Sequence, residues 1–285
     1  MKVGFFINCL NENGLAVYCS RLAQSLDCEV VLFADSIDLP DSSMESLVSS
    51  YCEVVLTNHS MDNCSLKSIL ELRELILREE IDVIHVHELH CLKRVSPVGW
   101  LTGIPVFGTS HLGRDGSSNR NRWSKLIFSK GLSRILARTY FAISTEIERE
   151  YLNEYMIRPD QVQKVLTGVD LDYFKAPSST EKQDARAVLG LPHAAIVFIQ
   201  LGRLDEVKRP FDSLNAFLTL RNRLPDRELH LIFAGKGPME ADMKAFILKH
   251  GLGDSVHLLG FQEPRLTLWA SDSLLLPSSV EGLSD

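Results

Sequence analysis

The sequence predicts an α/β protein of two Rossmann-like domains that share a cleft, and three observations carry that reading. Short β-branched or aromatic runs alternate with helical patterns along the chain, as parallel strands joined by crossover helices require. At 285 residues the chain is about twice the commonest domain size, so two domains are expected. A segment rich in Pro, Ser and charge, Ala176-Pro177-Ser178-Ser179-Thr180-Glu181-Lys182, interrupts the alternation before it restarts. The expected domains are therefore 1–176 and 177–285.

In the first domain the strands are expected near Val3 to Asn8, Glu29 to Phe33, Glu53 to Thr57, Val83 to Val86, Val106 to Thr109 and Tyr140 to Ile143. The opening apolar run is too short for a signal-peptide core and is followed by Asn8, so it reads as a strand. Leu15 to Leu26 sets Val17, Leu22, Ala23 and Leu26 close to one helical face, and Leu66 to Leu77 repeats apolar residues at three- and four-residue steps. Both helices should pack on a sheet.

In the second domain a helix is expected near Gln183 to Leu189, then a strand Ala195 to Leu201, a helix Arg209 to Leu224 and a strand Leu229 to Ala234. A helix Met239 to His250, a strand Val256 to Leu259, a short helix Arg265 to Ala270 and a strand Ser273 to Leu276 follow. The sequence then stops at Asp285, after a loop that ought to lead into another helix, so the second domain is expected to be incomplete.

Composition excludes several classes. A formal charge of -7 argues against general nucleic-acid binding, which needs many cations to neutralise phosphates. Cys9, Cys19, Cys28, Cys52, Cys64 and Cys91 form no C-x-x-C pair and mostly adjoin apolar residues, which suits reduced thiols in the cytoplasm. No apolar run reaches the ~18 residues of a membrane span.

Three strand ends could carry chemistry. Phe198-Ile199-Gln200-Leu201 runs into Gly202-Arg203-Leu204 and Lys208, setting two cations at the carboxyl end of a strand, where open α/β sheets bind ligands. The planar fork of Arg203 and the mobile charge of Lys208 suit a diphosphate that gains charge as it leaves. The competing reading is a surface Arg and Lys beside a helix start. Phe233-Ala234-Gly235-Lys236-Gly237-Pro238 also ends a strand and opens a helix, so Gly235 and Gly237 serve either a tight turn alone or an anion at the helix N-terminus. Leu276-Pro277-Ser278-Ser279-Val280-Glu281-Gly282 offers a carboxylate to sugar hydroxyls or to solvent.

Together with Val256-His257-Leu258-Leu259-Gly260-Phe261, these segments resemble, in order, the signature of the retaining GT-B glycosyltransferases called family 4. Val83-Ile84-His85-Val86-His87, Gly103-Ile104-Pro105-Val106 with Thr109 and His111, Ala142-Ile143-Ser144, and Gly168-Val169-Asp170 with Phe174 agree with the same family. The resemblance implies a GT-B fold and transfer of a sugar from a nucleoside diphosphate donor to an acceptor hydroxyl, and a glycan or lipid-linked acceptor is expected. It assigns Arg203 and Lys208 to the donor diphosphate, Glu281 to the donor sugar and His111 to the neighbourhood of the transferred sugar. The family's second glutamate, which holds the ribose, would fall beyond Asp285. Of the family's paired-glycine loop at the first strand-helix turn, Asn13-Gly14 keeps only Gly14, and Phe261-Gln262 points weakly to a nucleobase pocket.

Members need no divalent metal, and none is expected here. His85, His87, Glu88 and His90 could suggest a metal centre, but the resemblance makes His85-Val86-His87 an ordinary strand end. From Arg114 to Arg138 seven Lys or Arg accompany one acid, Asp115, with Trp123, Leu126, Ile127 and Phe128 between them. That stretch is either a solvated helix face or a contact with an anionic membrane surface. A GT-B nucleotide-sugar epimerase and a truncated, non-catalytic nucleotide-binding module are the alternatives from other classes.

Overall fold

The computed structural model describes residues 1–11, 14–38, 52–57, 59, 64–111 and 133–281. The chain divides into two compact units, Met1–Thr167 with Glu281–Asp285, and Gly168–Val280.

The first unit runs β1 (Lys2–Phe6), β2 (Cys9–Asn11), α1 (Gly14–Ser25), β3 (Glu29–Ala34), β4 (Ser36–Asp38), β5 (Glu53–Leu56), α2 (Leu66–Arg78) and β6 (Val83–Val86). It continues through a 3-10 turn Leu89–Cys91, α3 (Leu92–Thr102), β7 (Val106–Ser110), α4 (Ser133–Leu136), β8 (Thr139–Ala142), α5 (Thr145–Asn153) and β9 (Val162–Lys164). Seven parallel strands lie in the order β5-β3-β1-β6-β7-β8-β9, and β2 pairs β4 separately. Strand alternation sorts β1 into two cores: Phe6 packs with Phe33, Leu72, Ile76 and Ile84 on one face, while Val3, Phe5 and Ile7 pack with Ala16, Cys19 and Leu32 on the other. The order reverses between β1 and β6, the point at which ligands enter open sheets of this kind.

The second unit contains α6 (Ser179–Val188), β10 (Ile196–Leu201), α7 (Pro210–Arg223), β11 (Leu229–Ala234), α8 (Glu240–Lys249), β12 (Val256–Leu258), α9 (Pro264–Ala270) and β13 (Ser273–Leu274). Its parallel order is β12-β11-β10-β13, which reverses between β10 and β13. Leu231 and Phe233 face one core and Ile232 and Ala234 the other, so helices cover both faces.

Two expectations need correction. Residues 168–176, placed with the first domain by the sequence, belong to the second unit: Trp269 Nε1 donates to the Lys175 carbonyl at 2.9 Å, Tyr173 bonds Glu263, and Arg265 lies 4.4 Å over the Tyr173 ring. Nor does the proposed linker reach Lys182, because α6 already begins at Ser179. The Ser178 hydroxyl accepts from Glu181 N–H and the Glu181 carboxylate accepts from Ser178 N–H, a capping box that starts the helix within the Ser-rich stretch. Asp272, entering β13, then binds α6 through Arg186 at 2.8 Å and through Lys182, and also accepts from Val197 N–H.

The six cysteines are free thiols, with Cys19, Cys52 and Cys91 buried. No helix among the described residues is long and apolar enough to cross a membrane.

Candidate functional site

In the second unit three strand-end turns are pressed together. Gly202 N–H donates to the Ala234 carbonyl at 3.0 Å, Leu204 N–H to Lys236 at 3.0 Å, and Gly235 N–H to Gly260 at 2.7 Å. The first two bonds carry the parallel β10-β11 pairing beyond the strands, and the third belongs to an isolated antiparallel bridge between the turns after β11 and β12. Gly202 (φ +133°) and Gly235 (φ +151°) take backbone conformations closed to other residues. A Cβ on Gly235 would sit 2.0 Å from the Gly202 carbonyl oxygen, and one on Gly237 2.3 Å from that of Leu204. Close approach of one turn to the next thus explains both glycines.

The next loop carries the cations. The Asp205 carboxylate accepts from the Arg203 guanidinium through Oδ2 and from Lys208 N–H at 3.0 Å through Oδ1. Gln200, buried on β10, donates Nε2 to the Lys208 carbonyl at 2.7 Å. The Lys208 backbone is therefore gripped on both sides, and its Cε lies 3.7 Å from where a Gly202 Cβ would be. Arg203 keeps 63% of its side chain exposed while Asp205 keeps 11%, so the guanidinium reaches solvent from a fixed base. Arg209 (φ 50°, ψ 52°) turns the chain into α7, which Pro210 begins. Ser279 N–H, after β13, donates to the Val207 carbonyl at 2.8 Å and straps this loop from the other side.

Other expected residues take different places. The α8 N-terminus is less open to an anion than its glycines promised: Met239 N–H donates to Leu204, Glu240 N–H to Gly237, and Glu240 and Asp242 put carboxylates in the first turn. Phe261 and Gln262 directly follow Gly260, with Gln262 Nε2 on the Leu259 carbonyl at 2.9 Å. Glu281 is grouped with the first unit, not with Arg203 and Lys208. Sequence reasoning missed Asp205 and Gln200. An acid three residues before Lys208 and a lone amide inside an apolar strand were the available signals.

In the first unit the ends of β6 and β7 bring three imidazoles together beside the β1-β6 reversal. His85 Nε2 lies 2.7 Å from Thr109 Oγ1, and His87 Nδ1 lies 3.2 Å from His111 Nε2. Phe5 meets His87 edge-on at 4.7 Å, and Tyr18 from α1 meets His111 at 4.5 Å. Burial drives all three to the neutral form: His85, with help from His111, to about 3, His111 to about 4, and His87 well below its ordinary value with help from both neighbours.

Glu88, His90 and Cys91 hold potential metal-ligating atoms within 4.8 Å of one another, but the Glu88 carboxylate already accepts from Asn8 N–H at 2.6 Å. Gly14 is the first residue of α1; Asn13 lies outside the described residues, as does 114–132 of the basic segment.

Comparison with known proteins gives the chain its relatives. The family model "Glycosyltransferase Family 4" matches residues 12–173, and "Glycosyl transferases group 1" matches residues 181–284. The chain is 27% identical over 259 residues to the Escherichia coli UDP-Gal:alpha-D-GlcNAc-diphosphoundecaprenol alpha-1,3-galactosyltransferase, covering 86% of this chain and 63% of that protein. It is 32% identical to the D-inositol 3-phosphate glycosyltransferase of Saccharomonospora viridis, over 70% of this chain and 49% of that one. The chain thus spans about half to two thirds of the length of these relatives. Among solved structures, Anabaena HepE in complex with UDP and glucose superposes with a TM-score of 0.76 at 17% identity, over 98% of this chain and 74% of HepE.

Proposed function

Because this chain belongs to Glycosyltransferase Family 4, with a GT-B fold, we propose that it moves a sugar from a nucleoside diphosphate donor to an acceptor hydroxyl, retaining the anomeric configuration. One observation carries this reading: Asp205 holds Arg203 and the Lys208 backbone at the carboxyl end of β10, beside the reversal in strand order. Charge builds on the departing diphosphate as the glycosidic bond breaks. Cations already fixed in place stabilise it without reorganising during the reaction. Lys208, its backbone held from both sides, supplies the point charge and Arg203 the fork, while Glu281 and His111 bind the donor sugar. Asp205 is the stand-in partner that the diphosphate displaces from Arg203. No step calls for a divalent metal.

The acceptor we favour is lipid-linked and anionic, in glycolipid, lipopolysaccharide or polysaccharide synthesis at the inner face of the membrane. The Escherichia coli relative, which acts on a diphosphoundecaprenol-linked sugar, supports this choice, as do the cations between Arg114 and Arg138. HepE, crystallised with UDP, supports a uridine donor.

Calorimetric titration with uridine, guanosine and adenosine diphosphates, in wild type and Lys208→Ala, tests the donor site. One diphosphate should bind, and the variant should bind it at least ten-fold more weakly, the loss of a charge-assisted bond. Equal affinity in both proteins would remove Lys208 from the site. Incubation with the matching UDP-, GDP- or ADP-sugar then separates transfer, which needs acceptor, from epimerisation, which does not.

A further inference from the structure

His87 is fully buried, and its two ring nitrogens have unlike surroundings. Nδ1 faces His111 Nε2 at 3.2 Å, whereas Nε2 is buried with no hydrogen-bond partner among the described residues. Desolvation keeps both rings neutral. A neutral imidazole carries one N–H, so a hydrogen bond between two imidazole nitrogens needs one protonated and one bare nitrogen.

Two arrangements meet that condition. If His111 donates from Nε2, the single proton of His87 must sit on its own Nε2, a buried donor with no acceptor. If His87 donates from Nδ1 instead, the nitrogen left over is only a bare lone pair. Buried N–H groups without acceptors are rarer than unsatisfied acceptors, and the desolvation they suffer is not recovered. The rings nearest His87, His85 at 4.1 Å and Phe5 at 4.7 Å, offer an N–H no more than a weak contact with a π face.

We infer that His87 is a positioning residue for His111: it donates from Nδ1 to His111 Nε2 and so fixes His111 as the Nδ1–H tautomer. His111 then presents a neutral hydrogen-bond donor, not a base, because the lone pair on Nε2 is already engaged. Its Nδ1–H is the donor left for a hydrogen bond to an oxygen of the donor sugar, and the proton stays on the ring. The tautomer follows from the geometry together with the neutrality that burial imposes on both rings; its use in catalysis rests on the sugar-transfer reading above.

Long-range proton–nitrogen correlation spectra of the whole chain, labelled at histidine, test the tautomer directly. His111, assigned through His111→Gln, should show a pyrrole-type Nδ1 and a pyridine-type Nε2 at neutral pH. A protonated Nε2 on His111 would overturn the inference. His87→Asn, whose amide can donate from near the Nδ1 position, should preserve that pattern, and His87→Leu should abolish it.

Transfer should slow roughly ten-fold in His87→Leu with donor KM nearly unchanged, and His87→Asn should recover most of the rate. Equal rates in wild type and His87→Leu would contradict the positioning role, and if the leucine variant does not fold, the wild-type spectrum still decides. A chain that shows the tautomer but neither binds a nucleoside diphosphate nor transfers a sugar overturns the transfer reading and leaves the tautomer supported.

Discussion

At the scale of single residues, Gly235 is the position with least freedom. Its φ of +151° and the 2.0 Å approach of a notional Cβ to the Gly202 carbonyl leave alanine no place without parting two turns. Gly235→Ala should cost about 3 kcal/mol or more, the range of strained backbone combined with a steric clash. A urea midpoint equal to wild type would show that the turns are not pressed together. The glycines were legible in the sequence as a turn, but their reason was not, because it lies in residues 202–204 of another strand end. Arg203 and Lys208 were legible from their place after an apolar strand. Asp205 and Gln200, which hold them, were not, since a carboxylate's partners depend on how the loop folds back. Glu281 was named from family order alone, and its place in the first unit is one that residue spacing cannot give.

At the scale of elements, long patterned segments were readable and short ones were not. The helix at Pro210–Arg223 and the strand at Leu229–Ala234 nearly coincide with expectation, since each repeats apolar residues over its full length. The three-residue strands Cys9–Asn11, Ser36–Asp38 and Val162–Lys164 carry too few residues for any period. The helix Leu92–Thr102 holds Pro97 in its interior, a residue that ordinarily signals a break. The start of α6 was misplaced because Ser-Ser-Thr composition outweighed the Ser178-x-x-Glu181 pattern. Ser178→Ala removes the oxygen that accepts Glu181 N–H, and it should destabilise the second unit by about 1 kcal/mol. Thermal melting would show this as a drop of a few degrees; an unchanged melt would mean that the Arg186–Asp272 contact anchors the helix without its cap.

At the scale of the whole molecule, the buried imidazoles set the response to acid. In the unfolded chain each histidine titrates near 6.5. In the folded chain His111 is held at about 4, His85 at about 3 and His87 well below its ordinary value, chiefly by burial. Below pH 6.5 the unfolded state therefore binds more protons, so the stability is fully present above 6.5 and is lost as pH falls toward 4. Each such group contributes up to about 1.4 kcal/mol per pH unit across that window. Urea midpoints at pH 7.5 and pH 5 check this, and equal values would mean that the imidazoles are charged or solvated in the native state. The charge-neutral trio belongs to the unit of residues 1–167, and burial also lowers His230 and His257 in the other unit. Each unit also buries its own hydrophobic clusters on both faces of its own sheet. Mild acidification accordingly loads the unit of residues 1–167 with three charges that its core must bury or expel, while the loop that carries Arg203 and Lys208 holds no imidazole to charge.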